Sequence, residues 1–206
     1  MTAVAAEPSV VLFDIGGVLL TNGWDHVSRA RAAETFALDD GFETRHTAHA
    51  LELDTARVTL DSYLDLVVFD RERPFTREAF ITFIQAESQP FADTIAVLDE
   101  VVATGRYLVM ALNNESRELN DYRIDRFDLA RRFSGFLSSC YLGLSKPDPA
   151  IYLRMLQIVH RPPESCVFVD DRTGNVQTAL DLGIRGIHHT AATTTHEALR
   201  AAGVRI

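Results

Sequence analysis

The sequence predicts an α/β fold: a doubly wound parallel sheet with helices on both faces and a block of helices inserted after the first strand. Three observations predict it. Short apolar runs rich in β-branched residues recur and stop abruptly on polar side chains, the pattern of strands buried on both faces. From Asp93 onward these runs alternate with segments whose apolar residues fall at helical spacing, and such alternation specifies a parallel sheet. Between the first run and that alternation, several helical patterns follow one another without a strand.

The first strand is the run Ser9 to Phe13, closed by Asp14 and then by Gly16-Gly17. From about Asp25 to Glu87 the chain reads as amphipathic helices. Val58, Leu60, Tyr63, Leu64, Val67 and Val68 form one apolar series, and Ala79, Phe80, Phe83 and Ile84 another, started by Thr76 after Pro74. Leu38-Asp39-Asp40-Gly41 is a polar turn. The expected division is a sheet domain of residues 1–20 and 93–206, with residues 21–92 as a helical unit. Ile95 to Val102 is helical and stops at Thr104-Gly105. Tyr107 to Leu112 is a strand, followed by a helix from near Glu115. A weaker strand is expected near Gly135 to Leu142. Pro149 opens a helix carrying Ile151, Tyr152, Met155 and Leu156. Cys166 to Val169 is a strand ending on Asp170-Asp171, Val176 to Leu182 a helix ending at Gly183, and Ile184 to His188 the last strand before a terminal helix. Thr193-Thr194-Thr195 reads as a polar loop and helix cap.

Composition excludes several classes of partner. Twenty basic against 29 acidic residues give a net charge of −9, and no Lys/Arg run interrupts it. Nucleic acid and anionic membranes are therefore not expected partners. Cys140 and Cys166 lie near apolar runs and outside any Cys-x-x-Cys pattern, as buried free thiols of a reducing compartment do. Met1 to Glu7 lack a basic stretch followed by an apolar block, and no apolar run reaches membrane-spanning length. The expectation is a soluble cytoplasmic protein, a monomer or homodimer.

Chemistry in open α/β sheets sits beyond the carboxyl ends of the strands. Four such ends here carry polar residues: Asp14; Asn113-Asn114; Lys146 in Ser145-Lys146-Pro147-Asp148-Pro149; and Asp170-Asp171, with Asn175 beyond. One of two adjacent acids at a buried strand end must be buried and needs a partner. In this combination, Phe13-Asp14-Ile15-Gly16-Gly17-Val18-Leu19, Leu112-Asn113-Asn114, the Lys146 segment and Phe168-Val169-Asp170-Asp171-Arg172-Thr173-Gly174-Asn175 resemble the haloacid dehalogenase-like hydrolase superfamily, chiefly its phosphatases with a small α-helical cap. The resemblance covers nearly the whole chain.

The resemblance implies a sheet order of 3-2-1-4-5 and an aspartate nucleophile, Asp14, attacking phosphorus to form an aspartyl phosphate. It implies Mg²⁺ held by Asp14, the Gly16 carbonyl and Asp171, with Asp170 in direct or water-mediated support. Lys146 steadies the Asp14 carboxylate and offsets charge on the transferring oxygens, Asn175 holds the acid loop, and Asn113 with the backbone amides after it, Asn114 and Gly17 bind phosphate. The substrate it implies is a small phosphorylated metabolite.

Two positions depart from the family pattern. Gly16 stands where its phosphatases usually carry a second aspartate, the general acid and base. Loss of that help is worth about 10²–10⁴ in rate, which favours esters with good leaving groups or a substitute acid from the cap. Asn113 stands where serine or threonine is usual. These departures also motivate a reading as a catalytically weak module that binds metal and phosphorylated ligands. A carbon–halogen hydrolase of the same superfamily would need no metal and would leave Asp170-Asp171 an awkward retained charge. A signalling receiver domain would carry its acid pair after an early strand and would lack so large an insertion. Trp24 reads as a hinge residue packing core to cap, or as a stacking platform for a sugar or base. His46 and His49, three apart on a helix, read as a solvated face, with a metal pair as the alternative. His188-His189 read as structural, and Arg117 and Arg123 as surface or interdomain pairs, with contact to substrate as the alternative.

Overall fold

A computed structural model describes residues 7–206, so the leader reading of Met1 to Glu7 lies almost wholly outside the described residues. Five strands, β1 (Val10–Phe13), β2 (Leu108–Ala111), β3 (Gly135–Phe136), β4 (Cys166–Asp170) and β5 (Arg185–His188), form one parallel sheet in the order β3-β2-β1-β4-β5. β1 is central because every residue in it is buried and apolar, so it tolerates a covered neighbour on each side and a layer on each face. Successive side chains alternate between those faces. Val11, Phe13, Val109, Ala111, Val167 and Val169 point to one core, packed by α5 (Ala92–Ala103) and α10 (Ala192–Ala201). Val10, Leu12, Met110, Cys166 and Phe168 point to the other, packed by α8 (Pro149–Val159) and α9 (Thr173–Asp181).

Between β1 and α5 lie four helices: α1 (His26–Thr35), α2 (Phe42–Asp54), α3 (Leu60–Val67) and α4 (Arg77–Ala86). Their starts follow local chemistry, with Asp25, Thr59 and Thr76 side chains accepting from the first free amides of α1, α3 and α4. Their buried faces make a third core of Phe42, Leu53, Tyr63, Leu64, Val67, Phe80 and Ile84. That core meets the sheet unit through Leu119 of α6 (Arg117–Arg126), and Glu118 accepts from the Leu60 amide at 3.0 Å. The two connections to the helices run side by side. Thr21 donates to the Gln89 carbonyl at 2.8 Å, Phe91 donates to Leu19 at 2.9 Å, and Leu20 bridges Pro90.

Three local expectations change. The strand expected over Gly135 to Leu142 stops after Phe136, and Ser139–Leu142 forms a helical turn, α7, because Ser139 N–H is drawn to the Asn113 carbonyl. Thr193-Thr194-Thr195 lie inside α10, where the Thr194 hydroxyl satisfies the Ala191 carbonyl and Thr195 is buried against His189. Ser116, extended at φ −60° and ψ 152°, delays α6 to Arg117.

Candidate active site

The carboxyl ends of β1, β2 and β4 meet at one edge. Asp14 follows Phe13, and its backbone N–H is fixed by the Val169 carbonyl of β4. One carboxylate oxygen accepts from the Ile15 amide at 2.7 Å, and the other lies 3.0 Å from Lys146 Nζ. The same ammonium donates to Asp170 Oδ2 at 2.6 Å and to the Leu112 carbonyl at 2.8 Å. It thus ties β1, β2 and β4 together. Asp170 is fully buried and saturated: the Asn175 amide donates to both its oxygens at 3.0 Å and the Arg172 amide to Oδ1 at 2.8 Å.

Asp171 is different. Its Oδ2 has a long contact with Asn22 at 3.4 Å, and its buried Oδ1 has no partner. Asp14, Asp170 and Asp171 present oxygens within 4.8 Å of one another. Three ionised carboxylates against one ammonium would leave two negative charges uncompensated. Burial pushes the Asp14 carboxyl well above the usual carboxylate range, Lys146 opposes this, and Asp170 and Asp171 add to it. Burial works against the Lys146 charge too, but Asp14 and Asp170 hold it above the ordinary lysine value. Oxygen donors, an orphaned carboxylate oxygen and a two-charge deficit fit a hard divalent cation. Gly17 makes room for this arrangement: at φ +76° a Cβ there would stand 2.1 Å from Asp171 Oδ2.

The residues expected to bind phosphate have partners within the protein. Asn113 is buried, donating to Asn120 Oδ1 at 2.9 Å and accepting from Ser138 at 2.8 Å; its amide ties the end of β2 to α6 and its oxygen ties it to the segment between β3 and α7. The Gly17 amide is spent on the Leu20 carbonyl at 2.7 Å. Asn114 does line the cleft, but its amide bonds Ser145 and the Lys146 carbonyl, and its oxygen accepts the Lys146 N–H. It holds the lysine segment.

The cleft above this edge encloses about 390 Å³ and is closed by the inserted helices, which contribute Arg29, His46, Leu53 and Asp54. Trp24 lines it and also packs edge-on against Phe42 and Phe80, with its indole donating to Tyr63 at 3.1 Å. Three further residues enter the cleft: Arg123 and His46, expected at the surface, and Asp54, which no sequence motif marks. Arg123 is buried, 2.7 Å from Glu115, and donates to Ser88 at 2.9 Å beneath both connecting segments. Gly23 exists to admit it, since a Cβ there would stand 2.0 Å from its guanidinium. His46 is no solvated residue: its Nδ1 bonds Tyr63 at 2.7 Å, and burial lowers it to about 4. Asp54, at the end of α2, faces the cleft with a carboxyl that burial and then Glu115 push up to about 7. Of the remaining readings, His49 pairs with Glu52, Arg117 bonds the Cys140 carbonyl, and His188 and His189 bond the backbone of Asp171 and Asp170.

Residues 8–183 match the hydrolase family described as haloacid dehalogenase-like hydrolase. The chain belongs to that family. Sesquiterpene phosphatase astK of Aspergillus oryzae is 26% identical over 195 residues, covering 92% of this chain and 93% of that one. Flavin mononucleotide hydrolase 1 of Arabidopsis thaliana is 32% identical over 82 residues, 40% of this chain. The chain spans only 34% of that relative's length and 12% of bifunctional epoxide hydrolase 2 of Mus musculus. A HAD family enzyme of Bacteroides thetaiotaomicron, solved with magnesium and inorganic phosphate, superposes with a TM-score of 0.75 at 18% identity over 89% of this chain and 95% of that one. That likeness is one of fold. Among the described residues, no helix is long and apolar enough to cross a membrane.

Proposed function

We propose that this chain is a Mg²⁺-dependent phosphatase acting on a small phosphorylated metabolite. The observation that carries the reading is Lys146, held between Asp14 and Asp170 at the edge where Asp171 keeps an unpartnered oxygen. Asp14, Asp171 and the Gly16 carbonyl would hold the ion, with Asp170 supporting the set. When bound, the ion neutralises phosphate oxygens so that a carboxylate can approach an anionic ester. Asp14 Oδ2 is the nucleophile, and attack on phosphorus gives an aspartyl phosphate that water then hydrolyses. Lys146 keeps its proton, orients Asp14 and offsets charge on the transferring oxygens. Asn175 and the Arg172 amide hold Asp170 so that the lysine has one position. Asn114 fixes the lysine from behind. The inserted helices, residues 21–92, act as a cap that excludes water and sets the shape of the leaving group.

Gly16 offers no carboxyl to protonate that leaving group. Unless another residue does so, turnover favours acyl, aryl or anomeric phosphates. Phosphate release from acetyl phosphate is expected with Mg²⁺, and is expected to vanish with EDTA and in Asp14→Asn. Metal-dependent phosphate binding without turnover would support a binding module instead, the reading that Gly16 and the inward-turned Asn113 motivate. Halide release from a 2-haloacid in EDTA would overturn both.

A further inference from the structure

The cleft holds a carboxyl group for which the steps above find no use. Asp54 is the last residue of α2, and its side chain makes no hydrogen bond or ion pair among the described residues. Its backbone is fixed. The Ser139 hydroxyl donates to the Asp54 carbonyl at 2.6 Å and accepts the Glu115 amide at 3.0 Å, pinning the end of α2 onto the segment that follows β2. A carboxylate at a helix C-terminus meets the negative end of the helix dipole, and α2 has no basic residue in its last turn to offset it.

We propose that Asp54 is the catalytic acid and base that Gly16 cannot provide, a reading that rests on the phosphoryl transfer proposed above. As Asp14 forms its bond to phosphorus, the bond from phosphorus to the ester oxygen breaks, and that oxygen takes the Asp54 proton and departs as an alcohol. The Asp54 carboxylate then takes a proton from the water whose oxygen attacks phosphorus. The Asp14–phosphorus bond breaks, its electron pair returns to Asp14, and inorganic phosphate is released.

The surroundings suit a group that carries a proton near neutral pH. Glu115 faces Asp54 from the sheet unit and disfavours its charge, while Arg172 before α9 and Arg29 on α1 favour it. Tyr63 on α3 and His46 on α2 are neutral neighbours bonded to each other, and Tyr141 of α7 is turned to Asp121. The other acids of the cleft are committed. Asp25 accepts the Val27 and Ser28 amides, and Glu115 is held by Arg123 and the Ser116 amide. His26 stands exposed at the rim.

The test measures kcat/KM against pH for the intact chain, Asp54→Asn and His26→Gln, with acetyl phosphate, p-nitrophenyl phosphate and glycerol phosphate. Asp54→Asn is expected to lose about 10²–10⁴ on glycerol phosphate, to leave acetyl phosphate nearly unchanged, and to lose the basic limb of the pH profile. Equal losses on all esters, no loss on any, or the leaving-group dependence appearing in His26→Gln instead would overturn the assignment. A ¹³C-carboxyl titration, with the Asp54 signal identified from Asp54→Asn, is expected near neutrality; a midpoint in the ordinary range near 4 would overturn it independently of turnover. An intact chain that hydrolyses none of the esters overturns both readings, whereas one that hydrolyses them without this pattern overturns only this one.

Discussion

The sheet edge and the inserted helices solve opposite problems. At the edge, charge is inside: Lys146 is 4% exposed and Asp170 0% exposed, and nearly every oxygen has an assigned donor. In the insertion, rings fill the inside and the charges pair at or just under the surface. Phe36, Phe69, Phe75, Phe80 and Trp24 meet with centroids 4.6–6.3 Å apart, while Arg45 and Arg73 reach Asp39 at 2.9 and 3.2 Å on the rim. A buried ionic network tolerates one geometry, because an unpaired member is costly. An apolar cluster tolerates many sequences of similar volume. On the proposed function, the first region would fix the chemistry and the second would be free to vary the substrate.

That contrast breaks most easily at Lys146. Lys146→Ala should cost about 3–5 kcal/mol in urea unfolding, since it strands two buried carboxylates, and should abolish turnover. A cost near zero would mean that the carboxylates are not charged together. Phe80→Ala, in the centre of the aromatic cluster, should cost about 3–5 kcal/mol as well, yet leave Mg²⁺ affinity unchanged by calorimetry. Gly17→Ala forces its new Cβ onto Asp171 and should weaken Mg²⁺ binding about 10–100-fold with a smaller loss of stability. The smallest effect is a pH slope. His46 is held neutral in the fold by burial, at about 4, so the unfolded chain binds the extra proton first as pH falls. Stability should be full above about 6.5 and decline from there toward pH 4, and His46→Gln should flatten that limb.

What the sequence made legible follows the same divide. Strand ends announce themselves, because an apolar run that stops at Asp14 or Asp170 has a local signature; the strand order came only through the family resemblance, since periodicity carries no order. Arg123, His46 and Asp54 had no such signature. Arg123 is buried only because Glu115, Ser88 and the missing side chain of Gly23 converge on it, from segments up to 100 residues apart. Asp54 did leave a trace: an acid closing a helix is electrostatically misplaced. Asn113 misled because its type and position suit an anion, whereas its partners Asn120 and Ser138 are set by tertiary packing. The short β3 misled because a two-residue strand has no period to read.

The side-by-side pairing of residues 19–21 with 89–91 points to an insertion that could be exchanged as one piece. Both ends enter and leave at one seam, so an exchange of helices between family members should be spliced there, at Thr21 and Gln89, with Arg123 and Ser88 kept as a matched set. A chimera cut elsewhere would inherit half a seam and nothing to zip it to.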